Sequence, residues 1–112
     1  MEIVKIEKDG IEVISLIGRL DAGSAVETES NLKDVTAENS QIVIDLNRLE
    51  YISSAGLRVL LVSAKAIRKN SGAMALFGLT DNVREVFDIS GFSAIFDIAD
   101  DEAEAMKIVK DI

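Results

Sequence analysis

The chain contains neither cysteine nor histidine. Without cysteine it can form no disulfide and offers no thiolate metal ligand, a composition that fits a reducing compartment. Without histidine it lacks the usual general base near neutral pH and every imidazole metal ligand. A Ser-His-Asp triad or its thiol relatives therefore cannot be built from this chain alone, and we predict that the protein is not an enzyme.

Neither a signal peptide nor a membrane-spanning segment is expected. The N-terminal residues include Glu2, Lys5, Glu7, Lys8 and Asp9, so they lack the apolar core of a signal peptide. No run approaches the ~20 apolar residues that are needed to cross a bilayer. The formal net charge of −8 would repel nucleic acid, which favours a protein or a small molecule as the partner. We expect a soluble cytoplasmic domain.

Length and hydrophobic content predict a single domain. The 112 residues are 48% hydrophobic and include no obvious linker, so residues 1–112 are expected to share one core. No internal repeat and no phosphate-binding glycine fingerprint occurs, and no cofactor is predicted.

The stretch from Gln41 to Gly72 predicts a strand, a turn and a helix. A short run of β-branched residues after Gln41 is typical of a strand that is covered on both faces. Apolar residues then recur at helical spacing, and Gly72 is available for a left-handed exit. Ser53 and Ser54 lie at the break, beside a helix N-terminus, where free N–H groups favour an oxygen acceptor or an anion. Ser54 is therefore also a candidate N-cap of a helix from Ala55 to Asn70.

The other segments alternate between strands and helices. The pair Asp9-Gly10 predicts a tight turn between two antiparallel strands, Ile3–Ile6 and Ile11–Ile17, the second running beside the strand Gln41–Leu46. The order predicts an α/β layer fold with a mixed, mostly parallel sheet of about five strands and about four helices. A Ser24/Glu27 capping box predicts a helix that runs to about Val35, and it is followed after the central unit by a strand from Met74 to Phe77. Thr80 is expected to cap a helix that ends near Ser90 and Gly91. The last predicted elements are a strand from Ala94 to Ile98 with Phe96 inward and a helix that packs on the sheet through Ala105, Met106, Val109 and Ile112.

Two acidic residues each allow two interpretations. Asp21 follows a glycine-containing break and is either an N-cap or turn residue or a contact for a partner. Asp45 ends a central strand, as the phospho-acceptor of a receiver domain does. The paired acidic residues that would hold magnesium after the first strand are missing, which favours a structural role for Asp45 over a metal site.

The central helix carries a second apolar row beside its core stripe. Val59, Val62 and Ala66 form this row, with Arg58 and Lys65 nearby. Either part of the row is exposed and borders Ser54 as an interaction surface, or the helix is buried over a wide arc.

The segment Tyr51–Leu61, with the sequence YISSAGLRVLL, resembles the signature of the anti-sigma factor antagonists, which are STAS domain proteins. Gly18 to Asp21 is similar to the loop after the family's second strand, and Gln41 to Leu46 is similar to its central strand. The resemblance covers nearly the whole chain and implies a STAS fold. It also implies binding to an anti-sigma factor that is a Ser/Thr kinase, with displacement of the sigma factor. The kinase then phosphorylates a serine at the helix start, and a phosphatase reverses the modification.

The family pattern at the turn is Asp, Ser, Ser or Thr, Gly. Ser53 stands where the Asp usually is, Ser54 where the phosphorylated Ser is, and Ala55 where the second hydroxyl is, while Gly56 matches. The resemblance thus implies phosphorylation of Ser54, with Ser53 as a second candidate because the Asp is missing. It also matches Asp21 to an acidic residue of the partner-facing loop. Together, the residues expected to bind the partner are Asp21, Ser53, Ser54, Gly56, Arg58, Val59 and Val62.

Two functional classes remain open at this point. The first is a partner-switching regulator that binds a kinase-type anti-sigma factor. The second is a STAS-type accessory subunit of a membrane lipid transporter, in which the same helix docks permanently. A sensor of a small ligand or nucleotide has no motif to support it.

Overall fold

The computed structural model describes residues 1–110, so the predicted contact of Ile112 with the sheet lies outside the described residues. The predicted α/β class, with a mixed and mostly parallel sheet, is confirmed. The elements in chain order are β1 (Glu2–Lys8), β2 (Ile11–Leu20), α1 (Ala22–Glu38), β3 (Gln41–Asp45), β4 (Leu49–Ile52), α2 (Ser54–Lys69), β5 (Ala73–Phe77), α3 (Asp81–Ser90), a 3-10 turn (Phe92–Ala94), β6 (Asp97–Ala99) and α4 (Glu102–Lys110).

The strand order along the sheet is β1-β2-β3-β5-β6, and β4 pairs with β2 beyond the end of β3. The β1-β2 pair is antiparallel, whereas the other pairs are parallel. Asp9 and Gly10 both have positive φ angles and join Lys8 to Ile11, as a type I′ hairpin requires. The predicted hairpin and the parallel pairing of β2 with β3 are therefore confirmed.

The two faces of the sheet carry different helices because successive strand residues point to opposite sides. Ile14 and Ile44 belong to a large core that also contains buried residues of α1, α2 and α3. Val13 and Val43 lie on the other face, in a smaller core with Ala105 of α4. The sheet is therefore buried in its centre, and α1 and α2 pack side by side on the larger core.

Strands β4 and β6 differ most from the sequence predictions, and β2 runs to Leu20 although the predicted strand ended at Ile17. Leu49 and Ile52 are buried while the two residues between them are exposed, which shows neither alternation nor a continuous apolar run, so β4 was missed. Its addition gives six strands where about five were predicted. The last strand occupies Asp97–Ala99 and follows a 3-10 turn, so the prediction of a strand from Ala94 was too early, although Phe96 is buried as expected.

Helix ends follow local polar chemistry. Thr80 accepts a hydrogen bond from the Val83 amide, which confirms it as the N-cap of α3. At the end of α2, Ser71 takes the positive φ of 62°, not Gly72, so the predicted left-handed glycine exit was wrong. Gly72 is instead required by packing, since a Cβ there would clash with the carbonyl oxygen of Ser40. None of the helices within residues 1–110 combines the length and the apolar character that crossing a bilayer demands.

Candidate functional site

The starts of α1 and α2 lie side by side at one edge of the sheet. Strands β2 and β4 are parallel neighbours, with Leu20 opposite Ile52, and each strand is followed at once by a helix N-cap. The N-caps are Asp21 for α1 and Ser53 for α2. The Ser53 amide donates a hydrogen bond of 2.9 Å to the Leu20 carbonyl. The last residue of β2 is thus joined to both helix starts.

Asp21 forms a reciprocal cap with Ser24. Its Oδ1 atom accepts hydrogen bonds from the amides of Gly23, at 3.0 Å, and of Ser24, at 3.3 Å. In return, the Asp21 amide donates to Ser24 Oγ at 3.1 Å. The N-cap interpretation of Asp21 is confirmed, and the capping box predicted between Ser24 and Glu27 is wrong. Asp21 Oδ2 lies 3.9 Å from Arg19 Nε, so this carboxylate also faces a cation.

The serine pair has two distinct environments. Ser53 is half-buried, and its Oγ accepts a 3.2 Å hydrogen bond from the Gly56 amide. Ser54 is the first residue of α2, and its side chain is exposed. The prediction that Ser54 caps this helix is wrong, because the helix begins one residue earlier and Ser53 supplies the cap. The Ser54 hydroxyl is left at the surface.

Gly56 holds the first turn of α2 against the sheet. It is buried, and a Cβ at this position would lie 2.7 Å from the Leu20 carbonyl oxygen and 2.8 Å from the Ile52 side chain. Real Cβ atoms do not approach other atoms so closely, so only glycine fits without movement. Gly56 therefore allows the first turn of α2, which includes Ser54, to pack closely against the ends of β2 and β4.

Arg19 and Tyr51 form a surface pair beside this edge that the sequence analysis missed. They are opposite each other in the β2-β4 register, and the guanidinium carbon lies 4.3 Å from the centre of the tyrosine ring. This distance is typical of a cation–π contact. Tyr51 remains 38% exposed, so the pair presents an aromatic ring and a cation close to the helix starts. Only knowledge of β4 could have revealed it from the sequence.

A groove between α1 and α2 continues from the helix starts. Its first cavity, of about 360 Å³, is lined by Ala25, Val26 and Glu29 from α1 and by Ala55, Arg58 and Val59 from α2. A second cavity of about 230 Å³ shares Glu29 and lies between later turns of the two helices. Val26 is 80% exposed at the rim, an apolar surface residue that the sequence analysis also missed.

The predicted apolar row on α2 is only partly exposed. Val59 is 3% exposed and belongs to the large core, so it is not in the exposed part of the row. Val62 is 45% exposed and lines the second cavity with Ala66. The structure therefore gathers Asp21, Ser53, Ser54 and Gly56 at the sheet edge, with Arg58 in the first cavity, and it sets Val62 further along the helix.

Asp45 lies away from this edge and has a local structural role. Its carboxylate accepts a 3.1 Å hydrogen bond from the Ser15 hydroxyl and a 2.9 Å hydrogen bond from the Asn47 amide. These bonds tie the end of β3 to β2 and to the following turn. Within residues 1–110, no three acidic side chains are grouped so that they could hold a metal ion.

Comparison with known proteins gives a consistent assignment. The profile of the STAS domain family matches residues 2–105. BtrV of Bordetella bronchiseptica, which is named as an anti-sigma factor antagonist, is 40% identical over 111 residues that cover 98% of this chain and 96% of BtrV. The anti-sigma-B factor antagonist of Listeria monocytogenes is 30% identical over 105 residues, which cover 93% of this chain and 91% of that protein.

Solved structures share the fold. A Thermotoga maritima protein described as an anti-sigma factor antagonist superposes with a TM-score of 0.89 at 23% identity, over 96% of this chain and 94% of that one. SpoIIAA from Bacillus, solved in its phosphorylated form, superposes with a TM-score of 0.72 at 22% identity, over 96% of this chain and 99% of that one. At these identities the likeness shows the fold alone.

Proposed function

This chain belongs to the STAS domain family, and from that membership we propose that it is an anti-sigma factor antagonist controlled by phosphorylation of Ser54. Two relatives that align with nearly the whole chain are named as anti-sigma factor antagonists. In this proposal residues 1–112 act as one STAS domain that binds an anti-sigma factor and thereby frees the sigma factor. The anti-sigma factor is also a Ser/Thr kinase, and a phosphatase restores the unmodified protein.

The exposed hydroxyl at the first position of α2 is the observation that carries the choice of Ser54. Ser53 is half-buried, and its oxygen is already engaged by the Gly56 amide at 3.2 Å. Phosphorylating Ser53 would therefore disturb the helix cap, whereas Ser54 is exposed and has no capping role. This difference supports Ser54 as the acceptor although the residue before it is not the usual Asp.

A phosphate at Ser54 is compatible with the free domain. It adds a charge of about −1.5 to −2 next to free backbone N–H groups, where the helix dipole favours an anion. The phosphorylated SpoIIAA structure has the same fold, which supports the view that such a domain accepts a phosphate. We therefore expect the modification to act on binding rather than on folding.

The partner surface is centred on the sheet edge. Asp21 and the serine pair lie at the two joined helix starts, and Arg58 is exposed on the next turn of α2. A partner that covers the small Ser54 hydroxyl would have to bury a dianion after phosphorylation. Burying such a charge without a matching cation costs several kcal/mol, so affinity should fall by about two orders of magnitude or more.

The test begins with the native protein recovered with its partners from the cell. An ATP-binding anti-sigma factor should co-purify, and with ATP it should add one phosphate, which mass spectrometry should locate on Ser54. Calorimetry should show that Ser54→Asp weakens binding and that Ser54→Ala retains it. The matched control is Ser30→Asp, which adds the same charge on the exposed face of α1 and should leave binding unchanged.

Three results would contradict the proposal in different ways. Phosphate on Ser53 would overturn only the choice of acceptor. Unchanged binding by Ser54→Asp, with no phosphorylation by any kinase partner from the cell, would refute the switch. A stable complex with the ATPase core of a transporter would favour the accessory-subunit alternative.

A further inference from the structure

Helix α2 is basic in an acidic protein. It contains Arg58, Lys65, Arg68 and Lys69 but no Asp or Glu, although the whole chain has a formal net charge of −8. The last two cations lie in the final turn, where they also complement the helix dipole. The dipole does not account for Arg58, which lies in the second turn.

Four exposed residues of α2 form a single stripe. Arg58, Val62, Lys65 and Lys69 follow one another at intervals of four, three and four residues, which places them on one face of the helix. We call them the basic stripe. The salt bridges within residues 1–110 join Lys8 to Glu102, Arg19 to Asp21 and Lys110 to Asp9, and none of them involves the basic stripe. Its positive charges therefore form no salt bridge with a carboxylate of the described part of the chain, although Glu29 lines both cavities beside the stripe.

An apolar cavity adjoins the stripe. The cavity of about 230 Å³ lies between α1 and α2, and Val62 belongs both to its wall and to the stripe. Ala66 extends the apolar wall, while Lys33 and Glu29 stand on the α1 side. A space of this size suits one aliphatic or aromatic side chain, with charged groups on either side of it.

We propose that the basic stripe and this cavity bind an acidic amphipathic helix of a partner protein. One apolar side chain of that helix enters the cavity beside Val62, and its carboxylates face Arg58, Lys65 and Lys69. Helices commonly recognise partners through such grooves, and complementary charge sets orientation and partner choice. The identity of the partner rests on the proposed function. In the cell, the helix would be a segment of the anti-sigma factor that is separate from the segment in contact with Ser54.

The observations favour a protein helix over a membrane or nucleic acid. An anionic bilayer or nucleic acid would meet the net charge of −8 over the rest of the surface. Insertion into a bilayer also needs protruding apolar residues, whereas Val62 borders a concave space. A single helix that lies along the stripe meets Arg58, Lys65 and Lys69, and on the α1 side of the cavity it meets Glu29 together with Lys33.

The test uses designed peptides and needs no anti-sigma factor. An acidic peptide as long as α2, with leucines at helical spacing and glutamates on its flanks, is titrated into the full chain by calorimetry. A second peptide replaces each glutamate by lysine, and a third replaces each leucine by alanine. The acidic peptide should bind at least about tenfold more tightly than either of the other two peptides. Raising the salt concentration from about 50 mM to about 300 mM should lower the affinity of the acidic peptide.

Matched variants locate the site. Lys65→Glu with Lys69→Glu should reduce affinity for the acidic peptide by about tenfold or more, because two attractive contacts become repulsive. Lys5→Glu with Lys107→Glu makes the same change in net charge at exposed sites on β1 and α4, and it should leave affinity within about twofold. If the stripe variant does not fold, the peptide and salt comparisons on the native chain still decide the question.

Several outcomes would overturn the inference. Equal binding of the acidic and basic peptides, or no binding of either, would show that the stripe is not an acidic-helix site. Stripe-dependent binding to vesicles of phosphatidylglycerol and phosphatidylcholine, without peptide binding, would assign it to membranes. The peptide assay contains no kinase, so its results do not depend on whether Ser54 is phosphorylated. Likewise, a lack of peptide binding would not contradict the proposed phosphorylation switch at Ser54.

Discussion

Replacing each serine of the pair by alanine should separate the cap from the exposed hydroxyl. Ser53 Oγ accepts the Gly56 amide at 3.2 Å, and removing an N-cap acceptor typically costs about 1 kcal/mol. Ser54 is exposed at the first helical position, where alanine is well tolerated, so its replacement should cost less than about 0.5 kcal/mol. For a domain of this size the Ser53→Ala cost corresponds to a fall in Tm of roughly 4 °C.

The measurement is urea unfolding of the native protein and both variants, followed by circular dichroism and analysed by linear extrapolation. The slope should be unchanged, because neither variant alters the surface exposed on unfolding, and only the midpoint of Ser53→Ala should move. Ser53→Gly is a useful third variant, since glycine is a far better N-cap than alanine and should recover most of the loss. Equal destabilisation by Ser53→Ala and Ser54→Ala, or a larger loss for Ser54→Ala, would refute the assignment of the cap.

Three further predictions test the surroundings of the serine pair. Gly56→Ala should lower the free energy of unfolding by about 1–3 kcal/mol in the same urea assay, because its Cβ would meet the Leu20 carbonyl at 2.7 Å; an unchanged midpoint would show that the turn moves freely. Asp21→Asn should keep the α1 cap, with stability within about 0.5 kcal/mol, and calorimetry should show weaker binding to the anti-sigma factor, because the Asp21 charge is removed from the proposed partner surface. Val62→Asp should fold with an unchanged circular dichroism spectrum and bind the anti-sigma factor more weakly, whereas unfolding would show that this 45% exposed residue belongs to the core.

Most of the fold followed from periodicity and turn chemistry. The Asp9-Gly10 hairpin was predictable because few residues adopt the positive φ angles of its turn. Strand β4 was not predictable, because its four residues show no alternation and because, among the strands of residues 1–110, its backbone pairs with β2 alone, which lies far away in sequence. Local patterns report which residues are apolar but not which distant backbone groups complete a short ladder.

The candidate site was predicted at its location but not in its details. The sequence placed the serine pair at a helix start, yet serine is an equally good cap at either position, and the start of α2 is set by the bond between Ser53 and Leu20. Similarly, helical spacing alone put Val59 and Val62 in one row. Packing of α1 against α2 buries Val59 and leaves Val62 exposed. Which of the two is buried depends on where the helices cross, and helical spacing does not give that position.

The shared anchor at Leu20 has a consequence for how the chain tolerates changes in length. The carbonyl of Leu20 receives the Ser53 amide, and the next residue caps α1, so an added residue between Leu20 and Asp21 would displace one helix start from the other. The exposed turn at Asp9 and Gly10 lies at the opposite end of β2 from Leu20, and its Asp9 makes a surface salt bridge with Lys110, so residues could be added there with the sheet edge intact. Homologues with insertions should accordingly carry them at the hairpin, and a fluorescent or affinity label should be placed there when partner binding is to be followed.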